Sequence, residues 1–97
     1  MPSSRQTLRL PPEAIVGVRR SMGPYLPVRL IDLSAQGCSV ELVDRVNLHD
    51  ILWVRFPGLE ARQGAVSWKH EYSCGIEFLA PLHPAVLDLL ITRLGNP

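Results

Sequence analysis

The chain has 97 residues, of which 46% are hydrophobic and 20% charged, and its formal net charge is +1. A chain of this length forms one small domain, and this composition is not that of a disordered protein. A net charge of +1 is too small for a protein that holds DNA or RNA mainly by neutralising phosphates.

The cysteines and the hydropathy pattern indicate in which cellular compartment the protein is expected. Cys38 and Cys74 cannot by themselves build a disulfide scaffold or a cysteine-based zinc site, and each occupies an apolar position of an alternating run, which predicts a place in the core. No apolar run approaches the roughly 18 residues of a membrane span, and no apolar stretch near Met1 resembles a secretory signal. We therefore expect a cytoplasmic protein with both thiols reduced.

The N-terminal third carries most of the positive charge. Residues 1–30 contain five arginines and one acid, about +4, whereas residues 31–97 contain five bases and eight acids, about −3. Pro11 and Pro12 interrupt any amphipathic helix in the first dozen residues, so residues 1–12 are predicted to be extended and not to form a targeting peptide. An anionic ligand is expected at this end of the chain.

Residues 13–80 are predicted to form short strands, because apolar residues alternate with other residues between turn signals. The turn signals include Gly23-Pro24, Pro57-Gly58 and His70-Glu71. A sheet of this size must close or be covered to protect its edges, so the spacing predicts a small antiparallel barrel of about six strands. The alternating runs lie at residues 26–30, 38–42, 52–56, 66–68 and 74–78.

The period of the apolar residues changes at the C terminus. Pro84 suits the first turn of a helix and Gly95 its end. The sequence therefore predicts one amphipathic helix over residues 83–94 that packs on the barrel. The apolar stripe at helical spacing is formed by Val86, Leu87, Leu90, Ile91 and Leu94.

Arg5 and Arg9 form an R-x-x-x-R motif in the extended N-terminal segment. In an extended chain, residues four apart share a face and lie about 13 Å apart, so two guanidinium groups can hold different parts of one ligand. The alternative is a pair of solvated arginines on a loose N terminus.

Asp32, Ser34 and Gly37 form a D-x-S-x-x-G motif between two alternating runs. If the strand persists to Ser34, the carboxylate and the hydroxyl point to one face with Leu33 inward, and Gly37 supplies a turn conformation that a residue with a Cβ would resist. The alternative is an ordinary turn whose Asp and Ser satisfy local backbone donors.

Together the two motifs fit a guanine nucleotide. Guanine offers the acceptors O6 and N7 to an arginine and the donors N1 and N2 to a carboxylate, while Ser34 and the remaining arginine can serve phosphate. Trp68 is the candidate stacking platform, and stacking contributes about 1–3 kcal/mol per base. The alternative is a tryptophan that covers the barrel core.

On these residues the sequence resembles the PilZ domains, bacterial receptors for the second messenger cyclic di-GMP. The resemblance rests on the R-x-x-x-R and D-x-S-x-x-G motifs in that order, extends to the runs 64–68 and 74–78 before a terminal helix, and covers nearly the whole chain. It implies a six-stranded antiparallel barrel with a C-terminal helix and a flexible N-terminal segment, residues 1–12, that wraps the ligand.

The resemblance also implies a role for each motif residue. The arginines would grip phosphates and the Hoogsteen edges of guanine, the carboxylate its N1/N2 edge and the serine a phosphate, while the glycine leaves room for the turn and the base. In some members an aromatic residue at the place of the tryptophan stacks on the ligand. The implied ligand-binding residues are Arg5, Arg9, Asp32, Ser34, Gly37 and Trp68.

Members of this family act as binding modules that control motility, exopolysaccharide synthesis or pilus assembly. We therefore expect a cyclic di-GMP receptor, without a cofactor, whose N-terminal segment changes conformation on binding and which regulates a separate, unidentified effector protein. Only four residues precede Arg5, so we expect the domain to stand alone.

Two departures from the family pattern favour an alternative. Gln6 stands where many members have a second arginine, and Pro11 and Pro12 fall where a strand usually begins, although proline cannot donate to a ladder. The alternative is a barrel of the same fold that binds no nucleotide and acts purely through protein contacts, for example in pilus assembly.

Catalysis and metal binding have little support in the sequence. His49, His70 and His83 are dispersed without a recognisable metal spacing, and neither cysteine lies in a motif typical of an activated nucleophile. We expect no enzymatic activity, no metal site, no binding of DNA or RNA and no membrane span.

Overall fold

The computed structural model describes residues 7–42 and 45–95. Within these ranges the chain forms seven β-strands and one α-helix. They are β1 (Leu8–Arg9), β2 (Ile15–Arg20), β3 (Leu26–Leu33), β4 (Gly37–Glu41), β5 (Ile51–Arg55), β6 (Arg62–Lys69), β7 (Ser73–Phe78) and α1 (Pro84–Gly95).

Six of these strands close into a barrel. Around the barrel the order is β3, β2, β5, β6, β7 and β4, and pairing between β3 and β4 closes the ring. Neighbouring strands are antiparallel throughout. The structure confirms the predicted antiparallel barrel with a C-terminal helix, and closure leaves its long strands without an open edge.

The strand β2 is absent from the alternating runs named above. Its inward side chains, Val16 and Val18, are at most 5% exposed, but the outward positions Gly17 and Arg19 are not residue types that favour a strand. The pattern of period two is present in this segment, and pairing with both β3 and β5 makes it a central strand of the barrel.

Pro11 and Pro12, which are unfavourable within a strand, lie between two strands. β1 pairs with the second half of β3 and β2 with its first half, and Pro11 and Pro12 occupy the break, where the Ala14 amide donates to the Pro11 carbonyl at 3.0 Å. The missing N–H groups therefore cost the sheet no ladder bond. Residues 1–6 lie outside the described residues, so the flexibility of residues 1–12 stays a prediction.

Alternate side chains of the six barrel strands fill the core. Within this core the rings of Phe56 and Phe78 meet edge to face with centroids 6.1 Å apart. Cys38 and Cys74 are both buried in this core with free thiols, as predicted. Burial raises the pKa of both thiols, that of Cys74 to about 11, so neither is a ready nucleophile.

The helix α1 covers the barrel with the predicted apolar stripe. Leu90 is fully buried, and the other members of the stripe pack against the core. Leu82, just before the helix, donates its amide to the Ala35 carbonyl at 2.8 Å, and Arg93 donates to the Pro57 carbonyl at 3.2 Å. In residues 7–42 and 45–95, no helix has both the length and the apolar character needed to cross a membrane.

Candidate functional site

A cleft of about 400 Å³ lies on the outer wall of the barrel, where the end of β3, the β3–β4 turn, β4, β7 and the end of β6 meet. Four of the residues predicted to bind ligand line it together: Asp32, Ser34, Gly37 and Trp68. Thr7, immediately before β1, also lines the cleft. The described part of the N-terminal segment therefore begins beside the same site.

The β3–β4 turn is a tight connection closed by Ser34 and Gly37. The Ser34 amide donates to the Gly37 carbonyl at 2.9 Å, and the Gly37 amide donates to Ser34 Oγ at 3.3 Å. The strand β3 ends at Leu33 and does not persist to Ser34, but Leu33 is fully buried and both Asp32 and Ser34 line the cleft, which is the placement that the sequence predicts. The local-turn alternative also holds for Ser34, because its hydroxyl takes part in the turn.

Gly37 is needed for a different reason from the one predicted. Its φ does not lie in the left-handed region, so the expected special turn conformation is wrong. A Cβ at this position would overlap the carbonyl oxygen of Ile76 and lie 3.2 Å from the Cα of Glu77. The glycine lets β4 approach the backbone of β7, and this contact joins residues that are distant in sequence.

Asp32 is held from two sides. Ser39 on β4 donates its hydroxyl hydrogen to Asp32 Oδ2 at 3.1 Å, and Nε of Arg9 lies 3.9 Å from Oδ1. Ser39 is 5% exposed and is paired directly with Asp32 in the β3–β4 ladder. Ser39 is not among the site residues predicted from the sequence, although the register that follows from a tight turn at residues 34–37 brings it opposite Asp32.

Arg9 reaches the site through β1. Its partner in the ladder is Asp32 itself, and its side chain is 80% exposed, so the guanidinium stands beside the cleft with most of its donors free for a ligand. The extended conformation predicted for this part of the N-terminal segment is confirmed at Leu8 and Arg9. Arg5 and Gln6 lie outside the described residues.

A bulge in β6 turns Trp68 outward. Val66 points into the core, so strict alternation would place Trp68 inward as well; instead the register shifts between these residues and Ser67 is the extra one. The indole lies over Gly75, where a Cβ would overlap it, and is 40% exposed at the cleft. Trp68 therefore packs on β7 and still presents ring surface to a ligand.

The chemistry of the cleft is that of recognition. Its carboxylates, Asp32 and Glu77, can accept from N–H donors, its serines and Arg9 can donate to anions, and Trp68 can stack. In the described ranges, no group of three His, Cys, Asp or Glu residues could hold a metal ion.

The described residues thus form a closed antiparallel barrel whose outer wall carries a polar cleft with one exposed tryptophan face. The chain belongs to the PilZ domain family, whose model matches residues 3–94. This family comprises receptors for cyclic di-GMP together with members that do not bind it. Comparison with curated protein sequences gives no significant match.

Proposed function

We propose that this domain is a receptor for cyclic di-GMP. The observation that supports it is the convergence of both sequence motifs on one cleft: Asp32, Ser34 and Trp68 line it, and β1 brings Arg9 to within 3.9 Å of the Asp32 carboxylate. Residues separated by more than twenty positions in the chain meet here only because β1 pairs with the end of β3.

Each side chain has a role that suits this ligand. Asp32, oriented by Ser39, accepts from N1 and N2 of a guanine, and the exposed face of Trp68 stacks on a base. Arg9, together with Arg5, binds phosphate or the O6/N7 edge. Ser34 donates to a phosphate once its hydroxyl turns away from the Gly37 carbonyl, to which it donates at 3.3 Å.

Binding rearranges the N-terminal segment in this proposal. Arg9 and Asp32 contact each other at 3.9 Å without ligand, so a guanine that engages both must enter between them. β1 has only two residues, and its displacement leaves the barrel intact. The rearranged segment then presents a changed surface to an effector protein. In this proposal the domain is an adaptor without catalytic activity of its own. The cytoplasm remains its predicted cellular compartment.

Isothermal titration with cyclic di-GMP tests the proposal. We expect saturable binding, and Asp32→Asn should weaken it by about 1.5–3 kcal/mol, because the variant keeps the acceptor for Ser39 but loses the charge that guanine N1 and N2 prefer. Asp88→Asn on the exposed face of α1 is the matched control and should bind as the wild type does. Absence of heat at ligand concentrations of about 100 µM, some hundredfold above a Kd of about 1 µM, would overturn the proposal.

Gln6 favours a second candidate function. Many family members have a second phosphate-binding arginine where this chain has Gln6. Its absence favours a barrel that binds no nucleotide and acts through protein contacts alone. In that case an effector protein would bind equally with and without cyclic di-GMP, and the titration would show no heat.

A further inference from the structure

A second cluster of chemistry-bearing residues lies on the outer wall of the barrel at β2 and β5. Arg19, Tyr25, Trp53 and Arg55 form what we call the Arg–aromatic surface. The guanidinium carbon of Arg55 lies 4.0 Å from the centroid of the Tyr25 ring, and that of Arg19 lies 5.2 Å from Tyr25 and 5.5 Å from Trp53. All four side chains therefore form one stacked array.

The fold builds this array from outward positions of paired strands. Arg19 is the ladder partner of Trp53, and Gly17 is the partner of Arg55. Because Gly17 has no side chain, the Tyr25 ring can lie over its backbone, where a Cβ would be 3.3 Å from Tyr25 Cδ1. Stacking limits the rotamers of both arginines before any partner arrives, which lowers the entropic cost of binding.

The two guanidinium groups have no carboxylate partner within residues 7–42 and 45–95. The ion pairs of that part of the chain are Arg9 with Asp32 and Arg29 with Glu41. Arg19 donates to the Ser21 carbonyl at 2.9 Å, which leaves other N–H donors free. The Arg–aromatic surface therefore presents two guanidinium groups without a direct ion-pair partner among the described residues, and Glu60 is the acidic residue that shares a groove with Arg55.

An apolar groove of about 580 Å³ adjoins this surface. Tyr25 and Arg55 belong to its lining, and so do the exposed apolar residues Ile15 and Leu26, which are 46% and 49% exposed. Exposed aliphatic side chains next to a pair of stacked arginines are typical of a protein interface. The groove has room for an apolar side chain of a partner whose acidic residues reach the arginines.

The Arg–aromatic surface faces away from the ligand cleft. In the ring of six strands, β2 lies three strands from β7 and β5 lies three strands from β4, and the cleft is centred on β4 and β7. A partner docked on β2 and β5 therefore leaves the cleft open.

We propose that the Arg–aromatic surface docks an acidic segment of a partner protein, with carboxylates on Arg19 and Arg55 and an apolar side chain in the adjoining groove. An acidic segment is the expected occupant because its negative charges complement the two guanidinium groups. A nucleic acid fits less well, because both guanidinium groups lie over the Tyr25 ring where a base would stack, and the net charge is only +1.

Titration of the isotope-labelled domain by NMR tests the proposal without any need for cyclic di-GMP. The probe is a synthetic peptide with four acidic residues around one leucine, and its control replaces each Asp and Glu by Asn and Gln. We expect saturable shifts at the amides of residues 15–20 and 51–55 and at the Trp53 indole, with an affinity at least about tenfold higher for the acidic peptide.

Variants assign the effect to the two arginines. Arg19→Gln with Arg55→Gln should lower the affinity by about tenfold or more, whereas Arg45→Gln, an exposed arginine outside the surface, should change it by less than about twofold. Preserved amide dispersion shows that each variant is folded. Saturating cyclic di-GMP should leave the affinity for the peptide unchanged, which separates this proposal from that of the receptor.

Four results would overturn the proposal. They are the absence of saturable shifts at millimolar peptide, equal shifts with the neutral peptide, shifts centred outside β2 and β5, and tighter binding of phosphatidylglycerol vesicles or a single-stranded oligonucleotide to the same residues. The last result would assign the surface to a membrane or to a nucleic acid.

Discussion

Asp32 shows how the barrel would hold a single side chain ready for the proposed ligand. Its Oδ2 accepts from Ser39 at 3.1 Å, while Oδ1 lies 3.9 Å from Nε of the exposed Arg9. The first contact fixes the carboxylate on the barrel, and the second is loose enough for a ligand group to replace. An exposed pair of this kind contributes little to stability, so its loss on ligand binding costs little.

Gly37 leads to a second prediction about a single residue. Gly37→Ala should lower the free energy of unfolding by about 1–3 kcal/mol, because its Cβ would overlap the Ile76 carbonyl where β4 meets β7. Chemical denaturation followed by circular dichroism measures the change. Gly23→Ala is the control, since a Cβ there has no heavy atom within 4 Å, and equal stability of the two variants would contradict the explanation.

The sequence motifs predict which side chains line the cleft better than they predict which residues hold those side chains in place. The D-x-S-x-x-G spacing was enough to place Asp32 and Ser34 together in the cleft, since both lie within one strand end and its turn. The position of Ser39 follows from the register of the same local turn, whereas the reason for Gly37 depends on how β4 pairs with β7. Such pairings are non-local, and one sequence read position by position does not contain them.

At the scale of elements, the bulge in β6 decides what Trp68 can do. Alternation from Val66 would bury the indole, and the extra residue Ser67 turns it to the cleft. Strict periodicity could not predict this, because a bulge changes the face of every residue that follows it. By contrast, five of the six barrel strands and the helix follow directly from their apolar periods.

Trp68 leads to a prediction that fluorescence can check. If a guanine stacks on the exposed indole, cyclic di-GMP should quench tryptophan emission in the wild type, and Trp68→Phe should abolish most of the quenching and weaken binding by about 1–3 kcal/mol. Trp53→Phe is the matched control, because Trp53 lies on the opposite wall, on β5. Quenching that disappears with Trp53 and persists without Trp68 would contradict stacking at this position.

At the scale of the whole molecule, the closed barrel isolates its thiols. Burial raises the pKa of Cys74 to about 11 and shifts the pKa of Cys38 in the same direction, with the neighbouring Cys74 as a second cause. The neutral thiol is favoured in the folded state. The stabilising contribution of Cys74 is therefore fully present below its ordinary pKa of 9.0 and is lost as the pH rises towards 11.

The same shifts predict the reactivity of the cysteines. At pH 8 the folded protein should react with Ellman's reagent far more slowly than the protein in guanidinium chloride, which should release two equivalents. Fast labelling of the native protein, at a rate above that of global unfolding, would show that the core opens locally around β4 and β7.

If the domain is the receptor proposed above, Pro11 and Pro12 influence how sensitively it responds to its ligand. They join β1 to β2 along one side of β3, and their fixed φ angles restrict the chain that β1 joins when it leaves β3. A stiff connection keeps a released segment near the cleft, so its recapture around a ligand loses less entropy. Substitutions at these two positions would thus reset the ligand concentration to which the domain responds, while every ligand-contacting side chain stays the same.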